Sequence, residues 1–158
     1  FDKIVFDPIE SSIYLPLQGM KIGFGAIGKG YAADRVKSLL QKQGVTAGIV
    51  NASGDMSAWG VQPNGKPWQV GLVNPKSNGK RYGHIINPKT GFPSQGVISC
   101  TVFASKAELA DALSTALFVM GVETGIDFIN QLDQVEAIMI DDAGKVYTSK
   151  NIKTDETT

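Results

Sequence analysis

The chain has 158 residues, 42% of them apolar and 19% charged, which is enough length and apolar content to bury one core as a single globular domain. Its 15 Lys and Arg cancel its 15 Asp and Glu, which excludes the basic footprint of a nucleic-acid binder and the long-range steering of a charged partner. No apolar run approaches the roughly 18 residues of a membrane span, and a single cysteine excludes an internal disulfide.

The chain opens at Phe1, without an initiator Met, and enters a strand-like KIVF at once, so the natural product is expected to extend well before it. Lys3 to Phe6 and Ser12 to Leu15 predict a short hairpin across a turn at Asp7-Pro8. Glycines 23, 25, 28 and 30 lead into a helix that runs to about Gln43 and stops at Gly44. Within it Ala32, Val36, Leu39 and Leu40 recur at helical spacing and predict one buried stripe, with Asp34, Lys37, Gln41 and Lys42 left in water. Gly48 to Asn51, Met56 to Trp59 and Trp68 to Val73 predict an antiparallel meander, interrupted by Ser53-Gly54-Asp55 and by Pro63 to Pro67. His84 to Ile86 is a short strand ended by Asn87-Pro88-Lys89-Thr90-Gly91; Val97 to Phe103 is a buried strand in which Cys100 reads as packing. A second helix over about Lys106 to Met120, closed by Gly121, carries Leu109, Ala112, Leu113, Ala116, Leu117 and Met120 as a wide apolar stripe. A third helix, Glu123 to Leu132, leads to strands at Val135 to Ile140 and Val146 to Thr148, and the polar tail after Lys150 is expected to fray. Hairpins mixed with scattered helices predict an α+β fold of antiparallel sheets with packed helices.

The run Gly23-Phe24-Gly25-Ala26-Ile27-Gly28-Lys29-Gly30 satisfies both GxGxxG and GxxxxGK. Neither family follows, because a P-loop needs Ser or Thr where Gly30 stands, and a dinucleotide fold needs an acid about 20 residues on, where Gln41, Lys42 and Gln43 stand. Two readings remain: backbone N–H groups that cradle a phosphate at a helix start, or a structural loop. Asp111 and Thr115, one turn apart, lie away from the centre of their helix's apolar stripe, on a face that is either solvated or lines a site. On the second reading the pair supplies hard oxygen ligands suited to magnesium, and replacing Asp111 is expected to abolish metal-dependent turnover while leaving the fold intact, as wet-face substitutions usually do. His84, the only histidine, is either half-buried packing or the one side chain that titrates near neutrality without a large shift.

In order, GAIGKGYAADR, NASGD, HIINPKTGFP and ADALSTALFVMG resemble the ApbE family over about Ile22 to Gly121. The resemblance implies an α+β fold and a magnesium-dependent transferase that moves FMN from FAD onto a threonine of an acceptor protein, or alternatively an FAD pyrophosphatase or an inactive FAD binder. It implies that Asp111, Thr115 and the Ala26 carbonyl hold Mg2+, that Gly28, Lys29, Ile86 and Ser114 bind FAD, and that His84 activates the acceptor threonine, with Asp111 and His84 as the catalytic pair. It implies a location in the bacterial periplasm or on the outer face of the cytoplasmic membrane, with a lipid anchor outside residues 1–158. Residues 1–158 would then be the C-terminal portion of one domain, lacking the N-terminal half and a loop near 76–80. The chain departs from the family pattern at Gly23, where an acid is usual, at Ser53-Gly54-Asp55 in place of GGD, and in the shortness of the stretch from Pro75 to Gly79.

Overall fold

The computed structural model describes residues 2–71 and 85–153. Strands β1 (Val5–Asp7) and β2 (Ser12–Tyr14) form the first hairpin, whose turn is closed by the Asp7 carboxylate accepting the N–H groups of Ile9 and Glu10. Helix α1 (Gly28–Lys42) ends where Gly44 turns left-handed at φ 87°, with Gly44 N–H donating to Gln41 O and Val45 N–H to Leu40 O. Paired bonds of this kind satisfy the last carbonyls of a helix and need a residue that tolerates positive φ. Strands β3 (Gly48–Ala52) and β4 (Asp55–Trp59) pair across a two-residue turn in which Ser53 and Gly54 both have positive φ. That turn geometry matches the twist of the strands it joins. Its effect is to set Asp55 at the very start of β4.

The predicted third strand of this meander does not form in its described part: residues 68–71 carry no strand, and the remainder lies outside the described residues. Trp68 instead anchors the segment by donating its indole N–H to Trp59 O at 2.9 Å. Ile86 pairs with Pro93 in an isolated bridge around the Asn87 to Gly91 turn. Strand β5 (Val97–Phe103), helices α2 (Ala107–Met120) and α3 (Val122–Ile129), and strands β6 (Glu136–Asp141) and β7 (Val146–Thr148) follow. The sheet order is β5-β6-β7, antiparallel throughout, and α2 and α3 pack on it through Leu117, Val122 and Ile129 against Val97, Val135, Ala137 and Met139. Cys100 packs against this cluster, and burial pushes its thiol pKa up to about 12, the behaviour of an unreactive packing residue. Among the described residues no helix is long and apolar enough to cross a membrane.

The α1 stripe predicted to be buried is not. Val36 and Leu39 are 42% and 53% exposed, and α1 buries Gly30 and Ala33 instead. Small residues win because α1 runs hard against the start of α2: a Cβ at position 30 would sit 2.2 Å from Ala107 O. Asp34, predicted to stay in water, is drawn into the same contact.

Candidate active site

Neither α1 nor α2 caps itself, since Ile27 and Lys106 at the two N-cap positions make no side-chain capping bond. Each helix is capped by a carboxylate of the other. Asp34 of α1 accepts the N–H of Glu108 at 3.0 Å, in the first turn of α2, and also the hydroxyl of buried Ser57 at 2.8 Å. Asp111 of α2 accepts the N–H of Gly30 at 3.0 Å, in the first turn of α1. First-turn N–H groups carry the positive end of a helix and lack partners of their own, so a carboxylate there gains a hydrogen bond and a favourable field together. For Asp34, burial pushes the carboxyl pKa up, but the Glu108 N–H, the Ser57 hydroxyl, the Ala107 N–H and nearby Lys37 outweigh it and hold it below the ordinary carboxylate range.

Asp111 is only 3% exposed, so it lies neither on a solvated face nor at the edge of one. The expectation that its removal leaves the fold intact is therefore corrected: the carboxylate is a cap for α1 and a buried charge. Its partner is Lys29, whose Nζ lies 3.2 Å from Asp111 Oδ1 and 3.4 Å from Oδ2. The same ammonium lies 3.2 Å from Asp55 Oδ2 and 3.3 Å from Gly25 O. Partial burial pulls the Lys29 pKa down, but the hydrogen bonds and charges of Asp55 and Asp111 outweigh it and hold the pKa above the ordinary lysine value.

Three N–H groups of the glycine-rich start already have acceptors within the protein. Gly28 N–H donates to Phe24 O at 2.7 Å, Ile27 N–H donates to the same oxygen at 3.2 Å, and Gly30 N–H is taken by Asp111. Ala26 is exposed in the turn between Gly25 and α1, next to the carbonyl that Lys29 holds. Thr115 is half-buried one turn beyond Asp111 on α2, and Ser114 donates its hydroxyl back to Asp111 O at 2.9 Å. Ile86 lies in the separate bridge to Pro93, and His84 lies outside the described residues.

Of the candidates from sequence, the structure joins Lys29 and Asp111. Asp55 belongs with them and was missed as a site residue, although an acid directly after a two-residue turn in NASGD was its signal. Two carboxylates and the Gly25 carbonyl, all hard oxygens, converge on one cation, the Lys29 ammonium, a donor set whose chemistry fits a hard divalent ion. Among the described residues no three of His, Cys, Asp and Glu come together.

The sequence profile of the ApbE family matches residues 1–78 and 76–139. A curated relative named FAD:protein FMN transferase, from Klebsiella pneumoniae, is 28% identical over 87% of this chain and 51% of its own length. The flavin transferase ApbE of Vibrio cholerae superposes with a TM-score of 0.84 at 27% identity, covering 94% of this chain and 56% of that one. The ApbE protein of Thermotoga maritima superposes with a TM-score of 0.81 at 31% identity, covering 94% and 57%. The chain thus spans about half the length of the curated relatives it matches.

Proposed function

The chain belongs to the ApbE family, and from that premise we propose that it carries the cation-binding and phosphate-binding part of a magnesium-dependent FAD:protein FMN transferase. The observation that carries this reading is the Lys29–Asp111 pair at the mutually capped helix starts. It puts a buried carboxylate and a movable ammonium side by side, the two charges needed to hold a metal and a pyrophosphate. Asp111, with Thr115 and the Ala26 carbonyl, would hold Mg2+, which when bound neutralises charge on the pyrophosphate. Lys29 would donate to a phosphate oxygen, with Gly28, Ser114 and the Ile86 backbone as further FAD contacts implied by the family. In the transfer a threonine oxygen of the acceptor bonds to the FMN phosphorus, the pyrophosphate P–O bond breaks, AMP leaves, and the threonine proton goes to a base. His84 is the base the resemblance implies. The same resemblance supports a periplasmic or outer-face location.

The test is incubation of the full-length protein with FAD, Mg2+ and a threonine-bearing acceptor. In-gel flavin fluorescence on the acceptor is expected; free FMN and AMP would make the protein a hydrolase, and unchanged FAD a binder. His84→Ala is expected to lower the transfer rate by roughly 10²–10⁴ while leaving FAD affinity nearly unchanged. A weaker FAD affinity accompanying the loss of rate would instead make His84 a packing residue.

A further inference from the structure

Four oxygen contacts converge on the Lys29 ammonium, from both oxygens of Asp111, from Asp55 Oδ2 and from Gly25 O, all between 3.2 and 3.4 Å. An ammonium has three protons and no preferred site among such acceptors, so it acts here as a compact point charge. The two Asp111 oxygens are not equivalent. Oδ2 is fixed by the Gly30 N–H at 3.0 Å, whereas Oδ1 is given a partner only by Lys29 among the described contacts. The two partners also differ in freedom, because the Asp111 side chain is 4% exposed and that of Lys29 is 43% exposed. The aspartate cannot turn to water; the lysine can.

We propose that Lys29 is the resident counter-ion of Asp111, that a divalent cation exchanges for it at Asp111 Oδ1, and that Asp55 keeps the displaced ammonium at the edge of the site. This rests on the reading that Asp111 holds a divalent ion. Two carboxylates and one ammonium leave the trio with a net charge of −1, so a doubly charged ion is attracted where a single positive charge now sits. Without Asp55, a lysine released from Asp111 would go to solvent. With it, the ammonium would be held on Asp55, beside Asp111, where it could donate to a phosphate of the substrate. Asp55 is then a positioning residue that acts through Lys29, and Lys29 has two stations: one on Asp111 before the metal enters and one on Asp55 afterwards.

The experiment is a Mg2+ titration of full-length wild type, Lys29→Met and Asp55→Asn, followed by calorimetry and by NMR of the lysine ammonium groups, without FAD. In wild type the Lys29 ammonium resonance is expected to move as Mg2+ saturates. Lys29→Met, which frees Asp111 of its competitor, is expected to bind Mg2+ at least about tenfold more tightly. In Asp55→Asn the Lys29 resonance of the Mg2+-bound form is expected to coincide with those of solvent-exposed lysines. A Lys29 resonance that stays still while calorimetry records Mg2+ binding overturns the exchange, as does equal Mg2+ affinity in wild type and Lys29→Met. An unchanged Lys29 resonance in Mg2+-bound Asp55→Asn overturns the role of Asp55. If no variant binds Mg2+, the metal reading itself falls and the exchange with it. Should Lys29→Met fail to fold, the wild-type resonance decides.

Discussion

Position 30 is where sequence pattern and packing collide: a P-loop would have Ser or Thr there, and the contact with α2 forbids any side chain. A Cβ would lie 2.2 Å from Ala107 O and 2.7 Å from Glu108 N, both backbone atoms that cannot swing aside. Gly30→Ala must therefore push the starts of α1 and α2 apart and stretch both capping bonds. It is expected to lower stability in urea denaturation by at least the 1–3 kcal/mol typical of overpacking; an unchanged midpoint would show that the helices can separate freely. Asp111 tests the other side of the contact. Asp111→Ala leaves the Gly30 N–H buried without its partner, a loss of about 1–3 kcal/mol. Asp111→Asn keeps an oxygen for that N–H and should recover most of the stability. Both variants lose the carboxylate, so if the proposed metal-dependent transfer is right, both are expected to lose Mg2+ binding by calorimetry and flavin transfer with it. Equal melting temperatures for wild type and Asp111→Ala would refute the capping role.

At the level of elements, the mutual caps make α1 and α2 one unit, and they tie its stability to pH. Asp34 is held below the ordinary carboxylate range by the N–H groups of Glu108 and Ala107 and by Ser57, against the opposing effect of burial. A carboxyl whose folded pKa is depressed contributes stability that is present above its unfolded pKa of about 4 and is lost as the pH falls through the lower folded value. Asp34→Ala should therefore cost about 1–3 kcal/mol at pH 7, from a lost cap and a buried hydroxyl left unpaired. The gap to wild type should shrink below about pH 4. Urea denaturation at pH 7 and pH 3 checks this, and a gap of the same size at both would mean that Asp34 acts through packing alone. The hairpin of β3 and β4 contributes to the same unit, since its turn at Ser53-Gly54 fixes where Asp55 begins and Ser57 anchors Asp34 from the strand.

For the molecule as a whole, legibility followed the range of the interaction. The first hairpin, the three helices and the strands of the β5-β6-β7 sheet were readable because each depends on local turn residues and periodicity: Gly44 and Gly121 stop the helices where expected, and Val146–Thr148 is found as a strand. Lys29 and Asp111 were readable as residues through the family blocks. Their pairing was not, because it spans 82 positions and depends on how two helix starts cross. The same crossing defeated the periodicity of α1, where small residues face α2 and the large ones face out. Tyr31, Val36 and Leu39 on α1, with Phe6, Ile13 and Tyr14 on the first hairpin, are all exposed in this 158-residue chain. Exposed apolar groups on this scale favour association. The 158-residue chain alone is therefore expected to bind a hydrophobic dye such as anilinonaphthalene sulfonate and to self-associate as its concentration rises. Val36→Lys with Leu39→Lys should reduce both while changing stability by no more than about 0.5 kcal/mol per site, the usual range for surface positions. Dye fluorescence and sedimentation read the first effect and urea denaturation the second. Were the double variant to lose several kcal/mol, or the wild-type chain to bind no dye, the outer face of α1 would have to be packed in solution, and the small-residue contact with α2 would no longer explain why the predicted stripe failed.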